Sequence, residues 1–199
     1  MNINVMKKYQ LVWALIGAMA FTSCGDDDAP DAENPEEIIT GVTLTFTPTG
    51  GGSDLVFTAT DPDGEGPEDL AVSGPIQLSL NTTYELSIGM EGLDGEDIGA
   101  EVAEEDEEHQ LFFSWTDGLF SSPAGNGNID NADDDVDYLD VDGNGLPVGL
   151  LTEWSTSATQ GAGTFRVILK HQPDIKSATS TSSDGETDVD LTWVLQVQE

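Results

Sequence analysis

The feature that most constrains this chain is a period of two. Val189, Leu191, Trp193, Leu195 and Val197 fall on alternate positions of one run. Successive side chains of a strand point to opposite faces, so such a run buries one face and leaves the other to water. The pattern recurs at Val42, Leu44 and Phe46, where Thr43, Thr45 and Thr47 occupy the other face. It resumes over Leu55–Ala59 and Pro75–Leu80, and at Tyr84, Leu86, Ile88 and Met90. Leu111, Phe113 and Trp115 repeat it, as do Phe165, Val167 and Leu169 within Gly163–His171. Phe112 points away from its neighbours, which predicts a strand covered on both faces there. Leu150–Thr156 is the least regular segment, because Glu153 and Trp154 fit either face.

One stretch departs from this rhythm. Ile98, Val102, Glu105 and His109 are spaced by four, three and four, which places them on one helical stripe. The carboxylates between Glu101 and Glu108 repel one another, so that helix is expected to be short. Gly50–Gly52, Asp61–Pro67, Gly118–Asn131 and residues 172–187 read as turns and loops. About eight strands, at most one short helix and no strand–helix–strand alternation predict an all-β fold. The expected architecture is an antiparallel β-sandwich, immunoglobulin-like or jelly-roll-like, with a partly open barrel as the variant.

The start of the chain has a different character. Lys7 and Lys8 precede an apolar run from Tyr9 to Phe21, and Cys24, the sole cysteine, follows. The run is too short and too abruptly followed by acid for a stable membrane span. It resembles a bacterial lipoprotein signal, and the resemblance implies removal of residues 1–23 and lipidation of Cys24. The alternative is an ordinary secretory signal that happens to end near a cysteine. Residues 24–37 are acidic and proline-containing, with nothing to build a core, and read as a solvated tether. Residues 38–199 then form the folded domain. The acidic run Asp26–Asp28 resembles the surface-export signals of Bacteroidota lipoproteins, which implies anchoring on the outer face of the outer membrane.

Charge limits the partners. The chain holds 39 acidic residues, all after Cys24. Three basic residues, Arg166, Lys170 and Lys176, remain beyond that point, so the processed chain would carry a net −36. Nucleic acid and anionic lipid surfaces are repelled by such a field. Membrane attachment is expected through the N-terminal lipid, with another envelope protein as a candidate partner.

A wider resemblance rests on Leu44–Pro48, Asn81–Tyr84, Glu107–Phe113, Asp140–Gly149 and Leu169–Pro173. These segments are similar to those of a family of small Bacteroidota lipoproteins without an established function. Its members often carry an automatic label for a type 1 periplasmic-binding fold. The residues here argue against that label, since a two-lobed α/β protein needs two sets of alternating strands and helices.

Two constellations could carry chemistry. Asp140, Asp142 and Asn144 occupy positions one, three and five of a calcium-type loop, with Gly145 at six. Position twelve is Leu151, so the bidentate glutamate is missing; Glu153, or Asp133, Asp134, Asp135 or Asp137, could complete a site. An acidic turn accounts for the same residues. Asp61, Asp63 and Glu65 form a second, sparser set. The other constellation is the pair of histidines. His109 opens its strand on the core parity and His171 closes its own, so antiparallel neighbours would bring both rings to one end of the sandwich. With Glu105 they would suit zinc or copper; the alternative is two histidines bonded to loop backbone. No nucleophile elbow or phosphate-cradling loop is present. Trp115, Trp154 and Trp193 could form a sugar platform, although the parity of Trp115 and Trp193 points to the core. The sequence thus reads as a lipid-anchored, acidic envelope protein without enzymatic activity, accessory or structural in role. A cation-binding module and a carbohydrate-binding or hydrolytic domain are the alternatives.

Overall fold

The computed structural model describes residues 38–61, 63–64, 69–129 and 135–199. Ten strands occur among them. They are β1 (Ile39–Pro48), β2 (Leu55–Thr60), β3 (Ala71–Val72), β4 (Ile76–Ser79), β5 (Thr83–Gly92), β6 (His109–Trp115), β7 (Phe120–Ser122), β8 (Leu151–Thr156), β9 (Gly161–His171) and β10 (Glu186–Gln198). They build a six-stranded sheet in the order β3-β2-β1-β5-β8-β7 and a four-stranded sheet in the order β4-β10-β9-β6. The two sheets curl toward each other as half-barrels, giving the expected all-β sandwich. All strand pairs are antiparallel except β4 with β10, which run parallel.

The registers follow from the alternating apolar positions. Val42, Leu44 and Phe46 of β1 face Met90, Ile88 and Leu86 of β5. In the other sheet Leu169, Val167 and Phe165 of β9 lie between Val189, Leu191 and Trp193 of β10 and Leu111, Phe113 and Trp115 of β6. A slip by one residue would turn each row from core to water, so burial fixes these pairings. Trp154 settles the ambiguity of β8 by pointing inward, fully buried, with Glu153 outward. Its ring centroid lies 5.5 Å from that of Phe113, 5.0 Å from those of Trp115 and Phe165, and 4.9 Å from that of Phe120. Edge-to-face contacts within this cluster add to the area that it buries. The indole Nε1 of Trp154 donates to Thr152 Oγ1 at 2.7 Å.

The predicted helix is present but shorter than its stripe. α1 spans Ile98–Glu104, buries Ile98 and Val102, and is capped by Asp97, whose side chain accepts from Ala100 N. Glu105 and His109 lie beyond it. Acidic side chains and the lack of a basic residue in the last turn give the helix no reason to continue. A one-turn 3₁₀ helix, Leu93–Gly95, links β5 to it. Among the described residues no helix is long and apolar enough to cross a membrane.

Strand β6 lies at a sheet edge, and its outward main-chain groups are nonetheless occupied. Leu111 N donates to Val148 O and Trp115 N to Asn126 O. Phe113 N donates to Asn128 Oδ1 and Phe113 O accepts from Asn128 N. Tyr138 Oη donates to Leu111 O and accepts from Asn128 Nδ2. Burial pushes the Tyr138 hydroxyl up to about 12, so it remains a donor at any ordinary pH. The edge is therefore closed to further strands. Gly127 makes this closure feasible. Its φ is +100°, and a Cβ there would collide with Phe113 O and come within 2.7 Å of Ser114 Cα. Phe112 and Phe113, successive residues of the strand and so on opposite faces, are both fully buried, as the sequence predicts.

Candidate functional site

The polar residues with chemical potential gather where β6 begins and β9 ends. The two strands pair antiparallel with His109 directly opposite His171. Their rings are 4.7 Å apart between centroids and 10° from parallel. The expected proximity is therefore present, but the rings stack instead of converging. Nitrogen lone pairs lie in the ring planes, so two near-parallel imidazoles do not aim at one tetrahedral ion about 2 Å from each. Glu105 meets His109 through its main-chain carbonyl, 3.2 Å from Nδ1. An accepting carbonyl requires the proton on Nδ1 of the neutral ring. His171 Nε2 lies 3.3 Å from a carboxylate oxygen of Glu108, a residue absent from the predicted set. Burial pulls the His109 pKa down, the Glu105 carbonyl opposes this, and the His171 and Lys176 charges reinforce the lowering.

The aspartate loop is likewise ordered from within. Asp140 accepts from Gly149 N at 2.9 Å on one oxygen and from Leu151 N at 3.1 Å on the other. Asp142 Oδ1 accepts from Asn144 N and Leu146 N, both at 2.8 Å. Asn144 thus contributes its main-chain N–H, and its residue is exposed. The other oxygen of Asp142 faces Lys176, whose Nζ stands 3.0 Å away; the side chains are 0% and 1% exposed. This contact is an ion pair in which Oδ2 lacks a well-aligned hydrogen bond. Burial pushes the Asp142 carboxyl upward, but the Leu146 N–H, the Lys176 ammonium and the Asn144 N–H outweigh it and hold the group below the usual carboxylate range.

The carboxylates of the calcium-type loop are thus engaged by groups of the chain itself. An ion here would have to displace four N–H groups and an ammonium that already satisfy the carboxylates. The cation at Asp142 is Lys176. Asp137 accepts from Ser122 Oγ at 2.7 Å, Asp135 is exposed, and Asp133 lies outside the described residues, as does Cys24. Asp61 accepts from Asp63 N and Gly64 N in an ordinary turn, and Glu65 also lies outside them. Among the described residues no group of three or more His, Cys, Asp or Glu side chains is arranged to hold a metal ion.

Sequence reasoning missed Lys176, which joins three segments. Its ammonium meets Asp142 from the aspartate loop and donates to Asp106 O in the turn after α1, while its own main chain belongs to the loop after β9. Gln172 adds to the same closure. Its N donates to Glu108 O, and its Nε2 to Thr181 O and Asp184 O. The available signal was scarcity, because each of three cations among 39 acids is a strong positional constraint. The others are also engaged: Arg166 forks onto Asp190 at 2.7 and 2.6 Å, and Lys170 Nζ donates to Thr187 Oγ1 at 2.7 Å. Trp115, Trp154 and Trp193 are 3%, 0% and 0% exposed, so they form core and not a sugar platform.

No family model, curated protein or solved structure matches this chain.

Proposed function

We propose that this is a lipid-anchored, acidic cell-envelope protein with an accessory or structural role and no enzymatic activity, tethered through Cys24 to the outer membrane. The observation that carries the reading is the disposition of charge. Arg166, Lys170 and Lys176 are each engaged with side chains of the same domain, two of them on carboxylates. The surplus of acidic residues is therefore left to the exterior. Such a surface is held away from anionic lipid and from nucleic acid, so attachment falls to the lipid. The motif resemblance to small Bacteroidota lipoproteins and the Lys7–Lys8, apolar run and Cys24 in register support the same reading. The domain then acts as a soluble body on an acidic tether, available to another envelope protein.

The test is detergent phase partition of the native protein together with its intact mass. The expected result is entry into the detergent phase, loss of residues 1–23 and added acyl mass, all abolished by Cys24→Ala. A native protein that stays in the aqueous phase and begins before Cys24 would overturn the reading.

A further inference from the structure

We propose that Asp142 and Lys176 condense into an intramolecular amide, a side-chain isopeptide bond that joins the aspartate loop to the loop after β9. The reacting groups are already in contact, with Nζ 3.0 Å from Oδ2 and the two side chains sealed from water. Both are held by their own main chains. Asp142 N donates to Leu146 O, Gly145 N to Asp142 O, and Lys176 N to Gln172 O. Fixing two reactants in this way replaces a bimolecular encounter with effective molarities on the order of 10⁵ M or more.

The two carboxylate oxygens are prepared for different fates. Oδ1 receives the N–H groups of Asn144 and Leu146, both at 2.8 Å. A pair of main-chain donors on one oxygen is the arrangement that stabilises charge developing there during acyl transfer. Oδ2 has no aligned hydrogen bond and is the oxygen free to leave.

The step balances without an oxidant or co-reactant. One ammonium proton passes from Nζ to Oδ2, and burial narrows the gap between the ion pair and this neutral acid–amine pair. The amine lone pair then attacks Cγ. The Nζ–Cγ bond forms, and negative charge collects on Oδ1 against the two N–H groups. A second nitrogen proton moves to Oδ2, the Cγ–Oδ2 bond breaks, and water departs. The product amide is satisfied where it forms. Its carbonyl is Oδ1 with both donors kept, and its N–H has Asp106 O, which already accepts from Nζ.

The experiment is mass spectrometry of the purified, folded native protein after proteolysis, with Lys176→Arg and Asp142→Asn beside the wild type. The expected wild-type result is one linked peptide pair carrying Asp142 and Lys176, lighter than its two components by one water. Lys176→Arg keeps the cation and should yield separate peptides. Asp142→Asn should give the same linked mass as wild type, because the asparagine expels ammonia to form the same amide. Separate, full-mass peptides from folded wild-type protein would overturn the proposal.

Discussion

His109 and His171 lie opposite each other across the β6–β9 pair, with parallel rings 4.7 Å apart. The contact closes one end of the sandwich with two side chains that are polar, aromatic and nearly without exposure, at 0% and 6%. Packing of this kind tolerates neutral imidazoles and resists a second positive charge.

Stability is expected to fall on mild acidification. The His109 pKa is lowered in the folded state, first by burial and further by the charges of His171 and Lys176, against the Glu105 carbonyl and Glu108. The unfolded chain therefore binds this proton more readily. The contribution of His109 is fully present above its ordinary value of about 6.5 and is lost as the pH falls from there through the folded value. The charged groups around the pair are Glu108 from the turn before β6 and Lys176 from the loop after β9, with Glu186 in register with His171 on β10. Urea midpoints measured from about pH 8 downward should decline below about 6.5, and His109→Gln should flatten that decline. A wild-type midpoint that is flat across this range would contradict the expectation. A second loss is expected below the ordinary aspartate value of 3.8, where Asp190, held low in the folded state by Arg166, takes up a proton.

Lys176→Met should be among the most destabilising single changes in the described domain. It removes the proposed amide and leaves the buried Asp142 carboxylate without a cation, a loss of at least the about 3–5 kcal/mol of a broken buried ion pair. Adding Asp142→Asn, which removes the orphaned charge while retaining an acceptor oxygen, should recover part of it. Chemical denaturation of the single and double variants decides this, and equal stability of Lys176→Met and wild type would refute it.

Arg166→Ala should cost little by comparison. Its fork onto Asp190 is shorter than the Lys176 contact, but the two side chains are 38% and 43% exposed. Water and salt screen such a pair, and the expected loss is about 1 kcal/mol or less. A loss rivalling that of Lys176→Met would mean that burial does not control these ion pairs.

Gly127→Ala should open the sealed edge. The new Cβ would collide with the β6 main chain, and the positive φ disfavours any side chain. A cost of about 1–3 kcal/mol is expected from the strained backbone alone. Amide exchange should accelerate first at Phe113 and Trp115, whose N–H groups point to Asn128 and Asn126. Unchanged protection at both amides would show that the segment is not the seal.

The sequence made the long strands legible because one face of each is buried, and burial imprints alternation. It also indicated the His109–His171 juxtaposition, since parity and strand direction together fix which residues meet. β3 and β7 were not legible, because two or three residues contain too little of a period to detect. The parallel pairing of β4 with β10 leaves no mark on local pattern, being decided by how the two sheets close. The ring orientation of the histidines and the partner of Asp142 were hidden for a related reason. Both depend on loops whose course is set by main-chain N–H groups, and a carboxylate at ligand spacing looks the same whether it awaits a calcium ion or a lysine from elsewhere in the chain.

The placement of β10 between β4 and β9 has a kinetic consequence. Leu195 pairs with Ile76 across most of the domain, and the four-stranded sheet lacks its central member until residues 186–198 are available. Until then β6 and β9 can form an antiparallel pair, but β4 has no neighbour in its sheet. Native contacts so distant along the chain make folding slow, because loop closure precedes its reward. A polypeptide emerging in order can therefore assemble the six-stranded sheet from residues 39–156 first, while the sheet that must cover it closes only when the last strand arrives. One face of the core thus waits on residues 186–198, and the final thirteen-residue strand acts as the latch of the whole sandwich.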